Sequence, residues 1–206
     1  MNFIKQELQK SQALINSMLA NEALLQMVDA IARRCVLSLK NNGKILLAGN
    51  GGSAADSQHL AAELICRISQ DRPAIAAIAL TTDTSALTAI ANDYAYDYLF
   101  ARQVEALGQP EDVFIGISTS GKSPNILKAL QAARAKGLIT IGFSGQSSPL
   151  MAECCDFVLN IPSTETPKIQ EGHITMGHII CTLIEEALYG QSMRSAASIR
   201  LKSYAT

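Results

Sequence analysis

Five short, nearly unbroken apolar runs lie at residues 44–48, 75–80, 112–117, 139–143 and 157–161, each separated from the next by a stretch of helical pattern. A strand that faces water on one side alternates polar with apolar residues, whereas these runs do not alternate and read as strands buried on both faces. The intervening segments at 54–68, 85–91, 98–107, 124–136 and 148–153 carry apolar residues at helical spacing. Strand and helix taking turns in this way specify an α/β chain with a five-stranded parallel sheet between two helical layers.

The chain begins differently. Residues 3–41 read as helix broken near Asn21, with Leu14, Ile15, Met18 and Leu19 at helical spacing, and the second run, 24–39, stops at Asn41-Asn42-Gly43. A last helix is expected over 167–189. The tail at 191–206 is rich in small residues with weak periodicity, and reads as a short extra helix or a disordered end with no assigned function. There is no internal repeat and no linker, so residues 1–190 read as one domain. Its parts are N-terminal helices over 1–41 and an α/β core with a C-terminal helix over 44–190. The 206 residues, 48% hydrophobic and 17% charged, suffice to bury a substantial core.

Composition narrows the partners. A formal net charge of −1 argues against general nucleic-acid binding. No apolar run approaches the roughly 20 residues needed to span a bilayer, and MNFIKQELQK lacks the apolar core of a signal peptide. A cytoplasmic protein is expected. Five cysteines (Cys35, Cys66, Cys154, Cys155, Cys181) are odd in number and form no C-x-x-C pair, so neither a disulfide framework nor a thiolate zinc site is indicated. Four of them lie in apolar stretches, and all five read as structural thiols.

Two strand ends carry the chemistry of anion binding. Ala48-Gly49-Asn50-Gly51-Gly52-Ser53 joins an apolar strand to a helix, and its glycines allow positive φ and close approach of backbone N–H groups to a ligand. The following helix presents its positive end to the same place. Ser118-Thr119-Ser120-Gly121-Lys122-Ser123 repeats the arrangement with four hydroxyls, neutral donors suited to a phosphate monoester. Either loop alone could be an ordinary βα turn, but two at neighbouring strand ends favour a ligand crevice. Gly116, Gly121, Lys122 and Ser123 also match the P-loop pattern, yet Gly116 falls inside the expected strand and no clear Walker B aspartate follows an apolar strand. A nucleotide hydrolase is therefore set aside.

His59 and Glu63 stand four residues apart, on one face of the helix after the first loop. A pair of this kind can share a metal or move protons. The last helix offers Gln170, Glu171, His173 and His178. His173 and His178 are about 140° apart around a regular helix, so one site cannot readily use both. Gln170 and His178 are separated by about 12 Å along the axis. For those two to share an ion, Gln170 must precede the regular helix or one ligand must come from a neighbouring subunit. Convergence of both side chains from one unbroken helix would contradict this.

With these residues in view, GNGGSAADSQHLAAEL, ALTTDTSALTAIAND, RQVEALG, ISTSGKSPN and KIQEGHITMGH, in that order, resemble the sugar isomerase (SIS) superfamily, and within it the heptose-phosphate isomerases. The resemblance covers nearly all of residues 2–189. It implies a three-layer, flavodoxin-like fold with an N-terminal helical pair, assembled as a homotetramer with active sites at subunit interfaces. It also implies conversion of sedoheptulose 7-phosphate to D-glycero-D-manno-heptose 7-phosphate, the entry to the ADP-heptose of lipopolysaccharide. Carried over by position, Ser118, Thr119, Ser120 and Ser123 would hold the phosphate. Asn50, Gly51, Gly52, Ser53, Asn92, Asp93 and Gln170 would contact the sugar. His59, Glu63, Gln170 and His178 would bind one zinc per subunit, with Glu63 and His178 as the catalytic acid/base pair. Such a pair suits aldose–ketose exchange, which needs one group for the carbon-bound proton and another for the oxygen-bound protons.

A second SIS protein, an adaptor of the bacterial replication initiator, resembles this chain but has the acidic residue and final histidine of the pair replaced; here both are present. Four positions depart from the family pattern: Lys122, Pro167, Lys168 and Gly172. Pro167 is harmless in a first helical turn, while Gly172 is expected to loosen its turn by up to about 1 kcal/mol relative to Ala.

Overall fold

The computed structural model describes residues 2–69 and 71–203. The first two helices meet at a cap with almost no loop between them. Helix α1 (Asn2–Leu19) ends just before Asn21, whose side chain accepts a 3.1 Å bond from the Leu24 N–H and starts α2 (Glu22–Lys40). Caps of this kind contribute about 1 kcal/mol. There follow β1 (Ile45–Gly49), α3 (Gly52–Ile65), β2 (Ala77–Ala79) and α4 (Thr84–Asp93). A 3₁₀ turn (Tyr96–Tyr98) and α5 (Ala101–Leu107) lead to β3 (Val113–Ile117). The chain finishes with α6 (Pro124–Ala135), β4 (Ile139–Ser144), α7 (Pro149–Ala152), β5 (Phe157–Asn160) and α8 (Thr166–Ser203).

All strand pairs are parallel and the order is β2-β1-β3-β4-β5. This is the flavodoxin-like order, and its direction of winding reverses between β1 and β3. Both faces are covered. Ile45, Leu47, Ile115 and Ile141 point into a core shared with α1, α2, α3 and α8. Leu46, Ala48 and Phe114 point to the opposite core, under α5, α6 and α7. That two-sided burial is why the strands carry no polar alternation.

Ala48, Gly116 and Gly142 are in register across three strands. A Cβ on Gly116 would stand 2.9 Å from Ile126 Cγ2, and one on Gly142 would stand 2.4 Å from Met151 Sδ. The row of small residues lets α6 and α7 pack against the sheet. Gly116 is thus a packing residue inside β3, which disposes of the P-loop match.

Three expectations are modified. The apolar run at 75–80 yields only a three-residue edge strand, flanked by the bonds Ile45 N–H to Ala76 O and Leu80 N–H to Leu47 O, while Ile75 N–H turns away from β1 to Leu64 O at the end of α3. The helical pattern at 98–107 divides into the 3₁₀ turn and α5. The tail is neither a separate helix nor an irregular end where described, since α8 continues through Ser203; residues 204–206 lie outside the described residues. With no proline beyond Pro167, nothing in the tail breaks the helix. Pro167 falls in the first turn of α8, and Gly172 fits because the Ile161 side chain occupies the space a Cβ would need, at 2.5 Å. Lys168 is buried and ties α8 to α1 by a 2.8 Å bond to Ser11 Oγ.

Among the described residues no helix is long and apolar enough to cross a membrane. The cysteines are all free. Cys35, Cys154 and Cys181 are buried and Cys155 is partly so, whereas Cys66 is exposed at the end of α3. Burial pushes the thiols of Cys35, Cys155 and Cys181 up to about 12.

Candidate active site

The reversal between β1 and β3 puts the two Gly- and Ser-rich loops side by side at the C-terminal edge of the sheet, where α/β proteins bind ligands. In the first loop Gly51 takes φ +57°, which a side chain would resist, and serves as N-cap of α3. Gly52 leaves room for Gln170, whose Nε2 would lie 2.4 Å from any Cβ there. Ser53 is buried, and its carbonyl accepts from Ser57 Oγ at 2.8 Å. Asn50 is held by its side chain: it donates to Asn125 Oδ1 at 2.9 Å, accepts from Asn125 Nδ2 at 2.8 Å, and accepts from the Tyr96 hydroxyl at 3.1 Å. This reciprocal amide pair staples the first loop to the start of α6.

In the second loop the hydroxyls converge. Ser118 Oγ lies 2.9 Å from Ser123 Oγ and 3.4 Å from Ser120 Oγ. Ser123 occupies the N-cap of α6 but makes no cap bond with its side chain, which turns toward Ser118 instead. Gly121 takes φ +64° and bonds back to Ser118 O. The result is a cup of neutral donors at a helix N-terminus, able to accept a phosphate without a buried counter-charge. The Thr119 carbonyl accepts from Gly145 N–H, and Lys122 is exposed at the rim.

The proton-transfer candidates meet between α3 and α8. These helices are in close contact, since a Cβ on Gly177 would lie 2.7 Å from Leu60 Cδ2. His59 Nε2 and His178 Nε2 are 2.8 Å apart, and Glu63 Oε1 is 3.5 Å from His59 Nε2. One ligand atom from each of the three lies within 4.8 Å of the others, and among the described residues no other group of His, Cys, Asp or Glu could hold a metal ion. Two imidazoles and a carboxylate are a donor set suited to zinc, with a position left for water or substrate. At the usual zinc–nitrogen length, two tetrahedral imidazole ligands would stand about 3.3 Å apart. The observed spacing needs only a small opening to admit the ion.

A family described as the SIS domain matches residues 8–145. The chain is 53% identical over 191 residues to the phosphoheptose isomerase of Burkholderia pseudomallei strain 1710b, covering 93% of this chain and 97% of that one. It is 51% identical to the phosphoheptose isomerase of Aneurinibacillus thermoaerophilus, over 91% and 95% of the two chains. The chain belongs to the SIS domain family. Among solved structures, the phosphoheptose isomerase from Neisseria gonorrhoeae superposes with a TM-score of 0.83 at 40% identity, over 90% of this chain and 98% of that one. The one from Francisella tularensis superposes with a TM-score of 0.86 at 33% identity, over 90% and 97%.

Within this SIS fold, the remaining residues that the sequence nominates lie on α4 and α8. Asn92 and Asp93 end α4 exposed, with Asn92 Nδ2 donating to Asp93 Oδ1 at 2.7 Å. Gln170 belongs to the unbroken α8 and meets Gly52, seven residues ahead of His59 on α3. Of the two ways for Gln170 and His178 to share an ion, an early position outside the helix is therefore removed. Glu171 bonds Lys168 at 2.7 Å, and that bond holds its carboxyl below the usual range. His173 turns to the other side of α8 and bonds Ser144 O, so the two histidines of this helix serve different places. A cavity of about 290 Å³ opens between the first loop and α4, lined in part by Asn50, Gly51, Thr81, Thr88 and Tyr96.

Sequence reasoning missed Asn125 and Tyr96. Asn125 is 1% exposed in the first turn of α6. A buried asparagine needs partners, but nothing local identifies Asn50, 75 residues away, as the one. The adaptor reading gains no support: the relatives named above are isomerases, and the residues that would set an adaptor apart converge here.

Proposed function

We propose that the chain interconverts sedoheptulose 7-phosphate and D-glycero-D-manno-heptose 7-phosphate in the cytoplasm, supplying ADP-heptose for lipopolysaccharide. The observation that carries this reading is the convergence of His59 and Glu63, on the helix that leaves the first Gly-rich loop, with His178 of α8. The hydroxyls of Ser118, Thr119, Ser120 and Ser123 hold the phosphate, and Lys122 adds positive charge at the rim. Asn50, Gly51, Gly52 and Ser53 face the sugar from the first loop.

In the ketose-to-aldose direction, Glu63 takes a proton from C1, which leaves an enediol, and returns it to C2. His178 carries the O1 proton to O2, so that both protons have moved one position and the substrate's formula is unchanged. Zinc held by His59, Glu63 and His178 would polarise the carbonyl oxygen and stabilise charge on it in the transition state. Glu63 has two oxygens, so one can ligate while the other accepts the proton.

Gln170 is assigned both to the sugar and, as a fourth ligand, to the metal of a neighbouring subunit; Asn92 and Asp93 reach a neighbour's substrate in the same way. A homotetramer with interface sites accounts for these placements. It also accounts for Phe3, Ile4, Leu8 and Leu19, which leave α1 with an exposed apolar face. We take residues 1–190 as the unit that folds and assembles.

The test is a coupled assay of purified protein with sedoheptulose 7-phosphate, after chelation and after return of zinc, alongside the mass in solution. Aldoheptose phosphate formed only with zinc supports the whole reading. Equal turnover without metal removes zinc from the chemistry, and no turnover from a folded tetramer removes the substrate.

A further inference from the structure

Beyond the last turn of α3 the chain turns back toward β2, and there Arg72 is buried with Glu185 of α8. Their side chains are 1% and 4% exposed, and Arg72 Nε donates to Glu185 Oε2 at 2.9 Å. The rest of the guanidinium reaches the end of α3, with Nη2 donating to Glu63 O at 2.8 Å and Nη1 to Leu64 O at 2.7 Å. Nη1 also reaches Pro73 O at 3.1 Å. Glu185 accepts in addition from Ile68 N–H, Ser69 N–H and Ser69 Oγ. The carbonyls at a helix C-terminus lack partners within the helix, and here a charge from outside supplies two of them.

We infer that the Arg72–Glu185 pair is a positioning element that fixes the axial register of α3 against α8, and with it the spacing of His59, Glu63 and His178. This rests on the proposal that those three form the proton-transfer and metal-binding set. Glu185 follows His178 by seven residues, about 20° short of two full turns, so both sit on the face of α8 that meets α3. Arg72 grips the backbone of Glu63 itself. One helix thus offers His178 and Glu185 while the other is held at the residue whose carboxylate must meet His178.

The contact of Gly177 on Leu60 between these helices is apolar and sets their separation. Apolar contact is non-directional, so it constrains a slide along the axis less sharply than directional hydrogen bonds do. The planar guanidinium, bonded on all three nitrogens, adds that directional constraint. A buried ion pair is commonly no more stable than apolar residues of the same volume, but this one also satisfies backbone groups of Glu63, Ile68 and Ser69, so it contributes to stability as well as to register.

The experiment replaces the pair with apolar residues, Arg72→Met with Glu185→Leu, and reads three quantities in the full-length protein. These are urea unfolding of the metal-free protein, Co²⁺ affinity with its visible absorption spectrum, and kcat and KM for sedoheptulose 7-phosphate. The double variant is expected to stay folded with a lower urea midpoint, because Glu63 O, Ile68 N–H and Ser69 N–H lose their partners, to bind Co²⁺ about tenfold to a hundredfold more weakly with an altered spectrum, and to lose kcat while KM moves little. Arg72→Lys should restore these only in part, because one ammonium cannot span the same four acceptors. Wild-type Co²⁺ affinity, spectrum and kcat in the folded double variant would overturn the inference. If that variant does not fold, Glu185→Gln, which keeps the shape and the acceptor oxygen, is measured in the same three ways. It should then show a smaller loss of Co²⁺ affinity and kcat, and wild-type values would again overturn the inference. Wild-type protein that binds Co²⁺ without turning over the heptulose defeats the isomerase reading alone. Wild-type protein that binds none overturns the inference together with the set it depends on.

Discussion

His173 should make the fold acid-sensitive in a window that one substitution removes. The imidazole is 1% exposed, lies against Phe143 and donates from Nε2 to Ser144 O at 3.1 Å, while its Nδ1 is buried without a partner. Protonation would add a charge and an N–H with no acceptor. Burial therefore lowers its pKa from 6.5 to about 4, with the bond to Ser144 pulling the other way. The folded-state pKa lies below the unfolded one, so between those values the unfolded chain binds a proton that the native state refuses. Stability is then fully present above pH 6.5, falls as pH drops, and levels off below about 4. At 1.36 kcal/mol per pKa unit the full loss is about 3 kcal/mol, a large part of the roughly 5–15 kcal/mol that holds a domain together.

His173→Gln keeps a donor for Ser144 O and cannot titrate. Urea unfolding of both proteins across this window, metal-free and at one protein concentration, isolates the imidazole's contribution. Metal loss and subunit dissociation then affect both alike. The two stability curves should converge in shape above pH 6.5 and separate by about 3 kcal/mol toward pH 4. Parallel curves over the whole range would refute the argument.

Glu63→Gln removes the proposed base with little change in shape and should cut kcat by about 10²–10⁴-fold while the unfolding midpoint holds; full activity would end the assignment. Ser120→Ala should raise KM for the phosphorylated substrate more than it lowers kcat, provided the phosphate is held equally in ground and transition states; steady-state kinetics decide. Of the five thiols, Cys66 should react first with a disulfide reagent, and Cys35 and Cys181, buried with thiols near 12, only on unfolding. Equal rates in native protein would show that the core opens readily.

The five strands were legible because a strand buried on both faces has little freedom in composition, as β3 shows from Val113 to Ile117. The two loops were legible for a different reason: positive φ at Gly51 and Gly121 is a local demand that glycine meets. Where local signals compete the reading blurred, as at the short edge strand β2 and the divided helix before β3.

The sequence by itself determined the α/β alternation, the Gly- and Ser-rich strand ends, and the pairing of His59 with Glu63, since each depends on residues within a turn or two of one another. The family resemblance implied that His178 joins His59, and the tertiary structure brings them together across 119 positions. Only the tertiary structure decided that Asn125 holds Asn50, that Arg72 is gripped by Glu185, and that Gln170 packs on Gly52. The reason is geometric. Helical periodicity tells which residues share a face, but the partner of that face and the axial register are set by packing two distant helices on one sheet.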